Sequence, residues 1–438
     1  MNVSETTATT ASGPRLYPVV WRWHFYGGLF TAPIVWILAI TGALYAFRTE
    51  LTAWRDHDLR IVTPSGERLP YDQLIEMARE QSGAHEIEAL AAYPEPDRSI
   101  KFVGHVDSAG PAAGHERHLL IYIDPYTGKM LGSRFEDEDF FEIVLDLHRT
   151  LLMGSTGRIL AELATSWGVV LIATGVFLWW PRGKRNVGVW MPRVRGKLYA
   201  VLRDWHAVTG AYLAPLILLV AGTGLFFTLV WGTSWNTAAQ KLGQWPARWM
   251  GPPPKCQAPA EGASRVSVDT VVRTFVQHSR PGDAILYRFP PSPDIAHRAF
   301  FMQDEDKNSL RMVSIDPFTG TLIDVLQVSD LPLMFQMRVW SVSIHMGQIL
   351  GTPTKILALI ASAGLFLLSL TGVWMWWKRR PTGRSGFPRR PSPGNLPRWG
   401  WALIVVCGIA MPVVGLSFVV VSLLDWILLR RQVRAAAD

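Results

Sequence analysis

Five charge-free apolar runs punctuate the chain, at 27–47, 163–181, 207–231, 356–377 and 399–424. Each is long enough for a helix to cross a hydrocarbon core about 30 Å thick, so the pattern predicts five spanning helices. The two long stretches between them, 48–147 and 232–340, mix polar and apolar positions and predict a helix followed by strands in each. In the first stretch these are a helix from Tyr71 to Gln81 and strands from Ser99 to Val103 and His118 to Ile123. In the second they are a helix from Val268 to Gln277 and strands from Ile285 to Phe289 and Met312 to Ile315. Both strand sets run into matching turns, Asp124-Pro125-Tyr126-Thr127-Gly128 and Asp316-Pro317-Phe318-Thr319-Gly320. Asp before Pro, with Gly closing, is hairpin chemistry.

Composition agrees with a membrane location: 49% of the 438 residues are hydrophobic and only 18% charged, against about 25% in soluble proteins. The net charge of +8 could suggest nucleic acid, but its location gives a different reading. Residues 181–203 hold seven basic side chains and no acid, and 378–398 hold seven more, so these two stretches exceed the whole surplus. Each follows an apolar run, the mark of a cytoplasmic loop. Nucleic acid is therefore not an expected partner, and the lipid bilayer is. The segment ahead of Arg15 is small and polar with no basic start, which does not read as a removed signal peptide.

With both basic loops inside, the chain reads as a multi-pass protein of a bacterial inner membrane with a cytoplasmic N-terminus. The expected order is a tail at 1–18, a membrane helix at 19–47, an outer domain at 48–147, a lead-in and helix at 148–181 and a basic loop at 182–204. It continues with a helix at 205–231, a second outer domain at 232–340, a lead-in and helix at 341–377, a basic loop at 378–398, a helix at 399–429 and a tail at 430–438. The fifth helix would put Arg430, Arg431 and Arg434 outside, against the charge rule. Its orientation stays open.

Spacing reveals an internal repeat. The offset from His24 to Thr41-Gly42 equals that from His206 to Thr223-Gly224. The longer offset from His148 to Thr174-Gly175 likewise equals that from His345 to Thr371-Gly372. The second and fourth helices both end in Trp-Trp ahead of basic residues, at Trp179-Trp180 and Trp376-Trp377. A unit of helix, outer domain and helix, used twice, accounts for this.

Of 11 histidines, only His24, His148, His206 and His345 lie at or near membrane segments, and these are the repeated ones. Ionisable side chains at membrane depth are costly without partners and mark functional sites. His24 with His206 near the inner face, and His148 with His345 near the outer face, form two pairs that could each supply both axial imidazoles of a haem. The two cysteines, Cys256 and Cys407, do not sit in a Cys-x-x-Cys-His motif, so the two haems would be non-covalent, b-type. Arg22 and Arg203 are placed to meet the propionates of the inner haem, and Arg149 or Arg338 those of the outer. The four Thr-Gly glycines would let helix backbones approach the ring held by the other helix pair, or would simply pack helices together. Gly154 and Gly157, with Gly347 and Gly351 in the second copy, predict breaks that leave His148 and His345 on short lead-in segments. The competing readings of the four histidines are interfacial side chains and a proton relay.

Weaker signals are His105, His115 and His118, either metal ligands or solvated loop residues, and the acidic run from Glu136 to Asp139 with Glu142 and Asp146. No dinucleotide or phosphate-binding glycine loop follows a strand, so nicotinamide and flavin binding are unsupported.

The chain resembles the PepSY-associated transmembrane family, which includes iron-regulated membrane proteins and ferric-siderophore reductases. The likeness rests on Arg22-Trp23-His24 and Arg203-Asp204-Trp205-His206, the two Asp-Pro-aromatic-Thr-Gly turns, Leu147-His148-Arg149 with Gly154 and Gly157, and the Thr-Gly to Trp-Trp helix endings. It covers roughly 15–380; His345 departs from the pattern, being followed by Met346-Gly347. The resemblance implies PepSY-like outer domains, two b-type haems on His24, His148, His206 and His345, electrons taken from a cytoplasmic or membrane donor, and a ferric siderophore as acceptor.

The expected fold is an α-helical integral membrane bundle, four core helices plus a fifth, with two small α+β extracytoplasmic domains. The expected activity is that of a haem-dependent ferric-siderophore reductase. Electron transfer of this kind needs no side-chain acid, base or nucleophile, so no catalytic residue is assigned. The alternatives are a regulatory binding protein whose helices only anchor it, and a transporter.

Overall fold

The computed structural model describes residues 16–107, 116–183, 186–258, 263–303, 307–383, 386–388, 398–421 and 423. The segment ahead of Leu16, His115, much of the second basic loop and the C-terminal arginines Arg430, Arg431 and Arg434 lie outside them.

The helices in chain order are α1 (Leu16–Ala46), α2 (Arg48–Arg55), α3 (His57–Arg60), α4 (Tyr71–Ser82), α5 (Phe140–Thr150), α6 (Gly154–Trp179), α7 (Leu198–Gly224), α8 (Val230–Lys241), α9 (Ala247–Met250), α10 (Val268–Gln277), α11 (Leu333–His345), α12 (Thr352–Arg379) and α13 (Arg398–Ala410). A further short apolar helix, α14, covers Pro412–Val421. The strands are β1 (Glu86–Ala92), β2 (Ile100–Asp107), β3 (Glu116–Ile123), β4 (Met130–Phe135), β5 (Asp283–Arg288), β6 (His297–Gln303), β7 (Arg311–Ile315) and β8 (Leu322–Gln327). The chain divides into two compact units, one holding 1–40, 149–233 and 360–438, the other 41–148 and 234–359.

In the first unit the apolar helices pack along small or branched residues. Ile217 of α7 and Ala361 and Leu368 of α12 are buried together, with Ile172 of α6 against them. Other large apolar side chains face outward: Phe30, Leu219 and Leu367 are at least half exposed. On a soluble protein that would be a liability, whereas lipid accepts such a surface. Among the described residues four helices are long and apolar enough to cross a membrane: Leu16–Ala46, Gly154–Trp179, Leu198–Phe227 and Thr352–Arg379. The single acid of α6, Glu162, is fully buried and accepts hydrogen bonds from the Val230 and Trp231 amides at 2.7 and 2.9 Å. It thereby satisfies donors at the α8 N-terminus that otherwise have no intrahelical partner.

The expected fifth spanning helix is corrected. The apolar run breaks at Met411 into α13 and α14, neither of which reaches membrane length among the described residues. Pro412 removes one rung of the ladder, as Pro33 and Pro215 do inside continuous α1 and α7, so the break also needs the close glycine contact that follows. The turn is tight: a Cβ on Gly415 would lie 2.6 Å from the Gly408 carbonyl oxygen. Trp167 of α6 packs against Met411 and Val414 at this turn, and its indole donates to Ser417 at 3.2 Å.

In the second unit the expectation of two separate outer domains is also corrected. All eight strands form one antiparallel sheet, ordered β4-β3-β2-β1-β5-β6-β7-β8. The join is β1 against β5, with Leu90 opposite Tyr287. Each four-stranded meander would otherwise leave an unpaired edge at this point, and pairing the two edges removes both. Alternate strand residues, among them Phe102, Ile121, Ile285, Phe301 and Val313, share one buried cluster with Leu74 and Ala78 of α4 and Val271, Val272 and Phe275 of α10. Full burial of each large apolar side chain contributes about 1.5–3 kcal/mol. The two helices cap each other: Asp72 accepts from the amides of Val268 and Asp269, and Asp269 accepts from that of Tyr71. Both Asp-Pro turns form, closed by Gly128 and Gly320 at φ +68° and +70°, and Asp124 and Asp316 accept from the Tyr126 and Phe318 amides.

Candidate functional site

His24 lies on unbroken α1 and His206 on unbroken α7, and their rings stand 6.2 Å apart, centroid to centroid, nearly perpendicular at 89°. The His24 Nδ1 lies 3.0 Å from the hydroxyl of Thr174 on α6, and the His206 Nδ1 lies 3.1 Å from that of Thr371 on α12. Each threonine gives its one hydroxyl proton to the carbonyl a turn earlier, Val170 or Leu367, at 2.7 Å. The oxygen is then left to accept, so each histidine carries its proton on Nδ1 and presents Nε2 as the acceptor nitrogen. That is the tautomer a metal takes through Nε2, with the ring orientation fixed by the outer partner.

The glycine after each threonine makes room for the same ring. A Cβ on Gly175 would lie 3.2 Å from the His24 Cε1, and one on Gly372 would lie 3.6 Å from that of His206. The Thr-Gly pair is thus a cradle, with one residue accepting from the ring nitrogen and the next yielding space to the ring edge.

The second unit repeats this with other elements. His148, near the end of α5, bonds through Nδ1 to the Thr41 hydroxyl at 2.9 Å, and a Cβ on Gly42 would lie 3.1 Å from its Cε1. His345, the last residue of α11, stands with its ring 6.2 Å from that of His148 at 54°. Both leads are broken afterwards. Leu151, Leu152 and Gly154 adopt positive φ between α5 and α6, and Gly347 and Gly351 do so between α11 and α12. Gly347 could not be another residue without movement, since its Cβ would lie 2.7 Å from the Thr354 carbonyl oxygen.

These pairs fit a bis-imidazole metal centre. Two rings that each give a nitrogen to a metal at about 2.0–2.1 Å have centroids roughly 6 Å apart, and both pairs stand at 6.2 Å.

The four arginines proposed for propionates are placed less uniformly. Arg22 stacks over Tyr26 at 5.5 Å and lines a shallow surface depression with Trp21 and Arg379. Arg203 is held by the buried carboxylate of Asp204, at 2.6 and 3.0 Å, and Arg193 binds the same acid. Arg149 is exposed on α5. Arg338, on the same helix as His345 and two turns before it, donates to Asn236, and burial lowers its pKa.

The acidic run is largely spent on internal pairs. Asp137 and Glu138 bind Arg117, and Asp139 binds Arg55 and Arg134, which also hold the buried Asp56. Burial alone would raise the Asp56 and Asp139 carboxyls, but these arginine hydrogen bonds outweigh it and keep both below their ordinary range. Sequence reasoning missed Glu162, although an acid directly abutting the apolar run at 163–181 was the available signal. It also missed Glu88, which faces His105 and His118.

A polytopic helical membrane protein with histidine pairs held in threonine-glycine cradles, carrying an antiparallel sheet domain, is the class defined by these features. Comparison with curated proteins finds no match. The chain belongs to the PepSY-associated TM region family, which it matches over residues 21–379.

Proposed function

We propose that the protein is a dihaem b-type electron carrier of the bacterial inner membrane, its N-terminus cytoplasmic, that reduces ferric siderophore on the outer side with electrons from a cytoplasmic or membrane donor. The observation that carries this reading is the geometry of the two histidine pairs: equal centroid separations, with a threonine on Nδ1 of His24, His206 and His148. His24 and His206 would hold one haem, and His148 and His345 the other. Bound haem supplies reversible one-electron redox chemistry.

The chain's own residues do the rest. Thr174 and Thr371 keep the Nδ1–H of their histidines directed away from the ligand position, and the glycines let the rings sit against neighbouring backbone. The apolar helices exclude water from the rings. Each ferric ion gains one electron, and the softer ferrous ion is held less firmly by hard oxygen donors. The matching offsets along the chain favour a twice-used unit, with each haem taking one ligand from each copy.

The deciding measurement is the reduced-minus-oxidised absorption spectrum of the detergent-purified chain, with haem quantified. Two non-covalent haems per chain, followed by ferric-chelate reduction at the expense of the reduced protein, are expected. A folded preparation without haem, even when haem is supplied during expression, would sink the proposal in favour of a binding protein.

A further inference from the structure

Away from the helices, the sheet gathers a second set of ligating side chains. His105 of β2 and His118 of β3 are register partners, so they project from the same face, with ring centroids 4.9 Å apart. The third member is Glu88 of β1. The β1–β2 register pairs Ile87 with Gly104 and Ala89 with Val103, which leaves Glu88 as the extra residue of a β-bulge. Bulges re-aim a side chain, and here the glutamate turns onto the histidine face. Its Oε2 lies 3.2 Å from the His105 Nε2 and its Oε1 lies 3.2 Å from the His118 Nδ1.

We propose that Glu88, His105 and His118 form a binding site for a first-row divalent transition-metal ion. Two imidazoles and one carboxylate from three adjacent strands, with ligand atoms all within 4.8 Å of one another, are a donor set that Zn²⁺ and Fe²⁺ accept, leaving coordination positions open. The surroundings suit ligation. The other ring nitrogen of His105 lies 3.3 Å from a Glu116 carboxylate oxygen without a hydrogen bond between them, so a small turn of the ring would make that acid its outer partner. Glu88 and His105 side chains are each 15% exposed, and His118 at 39% gives access from solvent. The Glu88 carboxylate is also bound by Arg288. Arg288 is 69% exposed and can swing away as an ion enters. The site uses none of the membrane histidines, and its fate is independent of the haem reading.

The test is Zn²⁺ uptake by the full-length protein in detergent, by equilibrium dialysis with metal analysis, with Mg²⁺ and Ca²⁺ present in excess. The wild-type chain should retain one Zn²⁺ more than the Glu88→Gln/His105→Asn/His118→Asn variant. The single His118→Ala variant, at a half-exposed position that tolerates truncation, should bind that ion at least tenfold more weakly. Equal Zn²⁺ content in wild type and triple variant, or displacement of the ion by Mg²⁺ or Ca²⁺, would overturn the proposal.

Discussion

The two histidine pairs present the same separation by different means. His24 and His206 sit inside unbroken α1 and α7, where the i to i−4 ladder fixes the backbone on both sides. His148 and His345 sit at or near the C-terminal ends of α5 and α11, immediately before glycine-rich breaks. The first pair owes its position to regular structure, the second to the backbone conformation that follows it. A common ligand geometry can therefore rest on supports of unequal stiffness, and perturbation should separate them.

If the two pairs hold haem as proposed, the largest separation should come from removing the ligands themselves. His24→Ala with His206→Ala should lower haem from two per chain to one, and His148→Ala with His345→Ala should remove the other. Difference spectra with haem quantification read this directly. If either double variant folds and loses both haems, the pairs are one coupled centre and the comparison breaks.

Backbone changes come next. Gly347 combines φ +67° with a Cβ position 2.7 Å from a carbonyl oxygen, whereas Gly351, at φ +65°, has open space around it. Gly347→Ala should cost about 3 kcal/mol and Gly351→Ala about 1 kcal/mol. Thermal melts in detergent measure the difference, and the His148/His345 haem should dissociate first in the Gly347 variant. Equal melting of both variants would show that the break is not what positions His345.

Smaller effects should follow from the threonines. Thr174→Val and Thr371→Val keep the helix but remove the acceptor for Nδ1. Losing such an outer partner costs about 10–100-fold in ligand affinity, so the His24/His206 haem should exchange faster while the other is unaffected. Thr41→Val should do the converse. Unchanged haem retention in all three would reduce the cradles to helix packing.

Much of this pairing was legible because repeated spacing fixes depth along a helix. The equal His-to-Thr offsets marked which histidines to pair, and the structure brings those rings together. Spacing does not fix azimuth, so the crossing of His24 to Thr174 and of His148 to Thr41 had to come from packing. The two turns and α10 were readable, since Asp-Pro-x-Thr-Gly and the apolar face of Val271, Val272 and Phe275 are local signals. Strands β1, β4, β6 and β8 were not. The β1–β5 join brings Leu90 to Tyr287, from opposite halves of the chain, and leaves no local trace. The fifth run misled because hydropathy measures apolar length and does not register the close approach of Gly415 to Gly408, which turns the chain at Met411. The Glu88 site was half visible in His105 and His118. A bulge brings the glutamate to them, and a bulge has no reliable sequence mark.

The finest test uses pH to exploit the fact that the His148/His345 pair shares its compact unit with the sheet, and the His24/His206 pair does not. His297 on β6 is buried and shares a hydrogen bond with the Tyr287 hydroxyl through Nδ1. Burial, aided by the charge of Arg265, pushes its pKa down to about 4. The folded state holds it neutral while the unfolded chain, with an ordinary value near 6.5, takes up a proton. Stability is therefore full above about pH 6.5 and falls as the pH drops toward 4, by roughly 1 kcal/mol at pH 5.5. Mild acid should thus loosen the His148/His345 haem before the other, and His297→Gln should flatten that pH dependence without changing the order of haem loss at neutral pH. Simultaneous loss of both haems on acidification, unaltered in His297→Gln, would mean that the sheet does not support the pair within its unit.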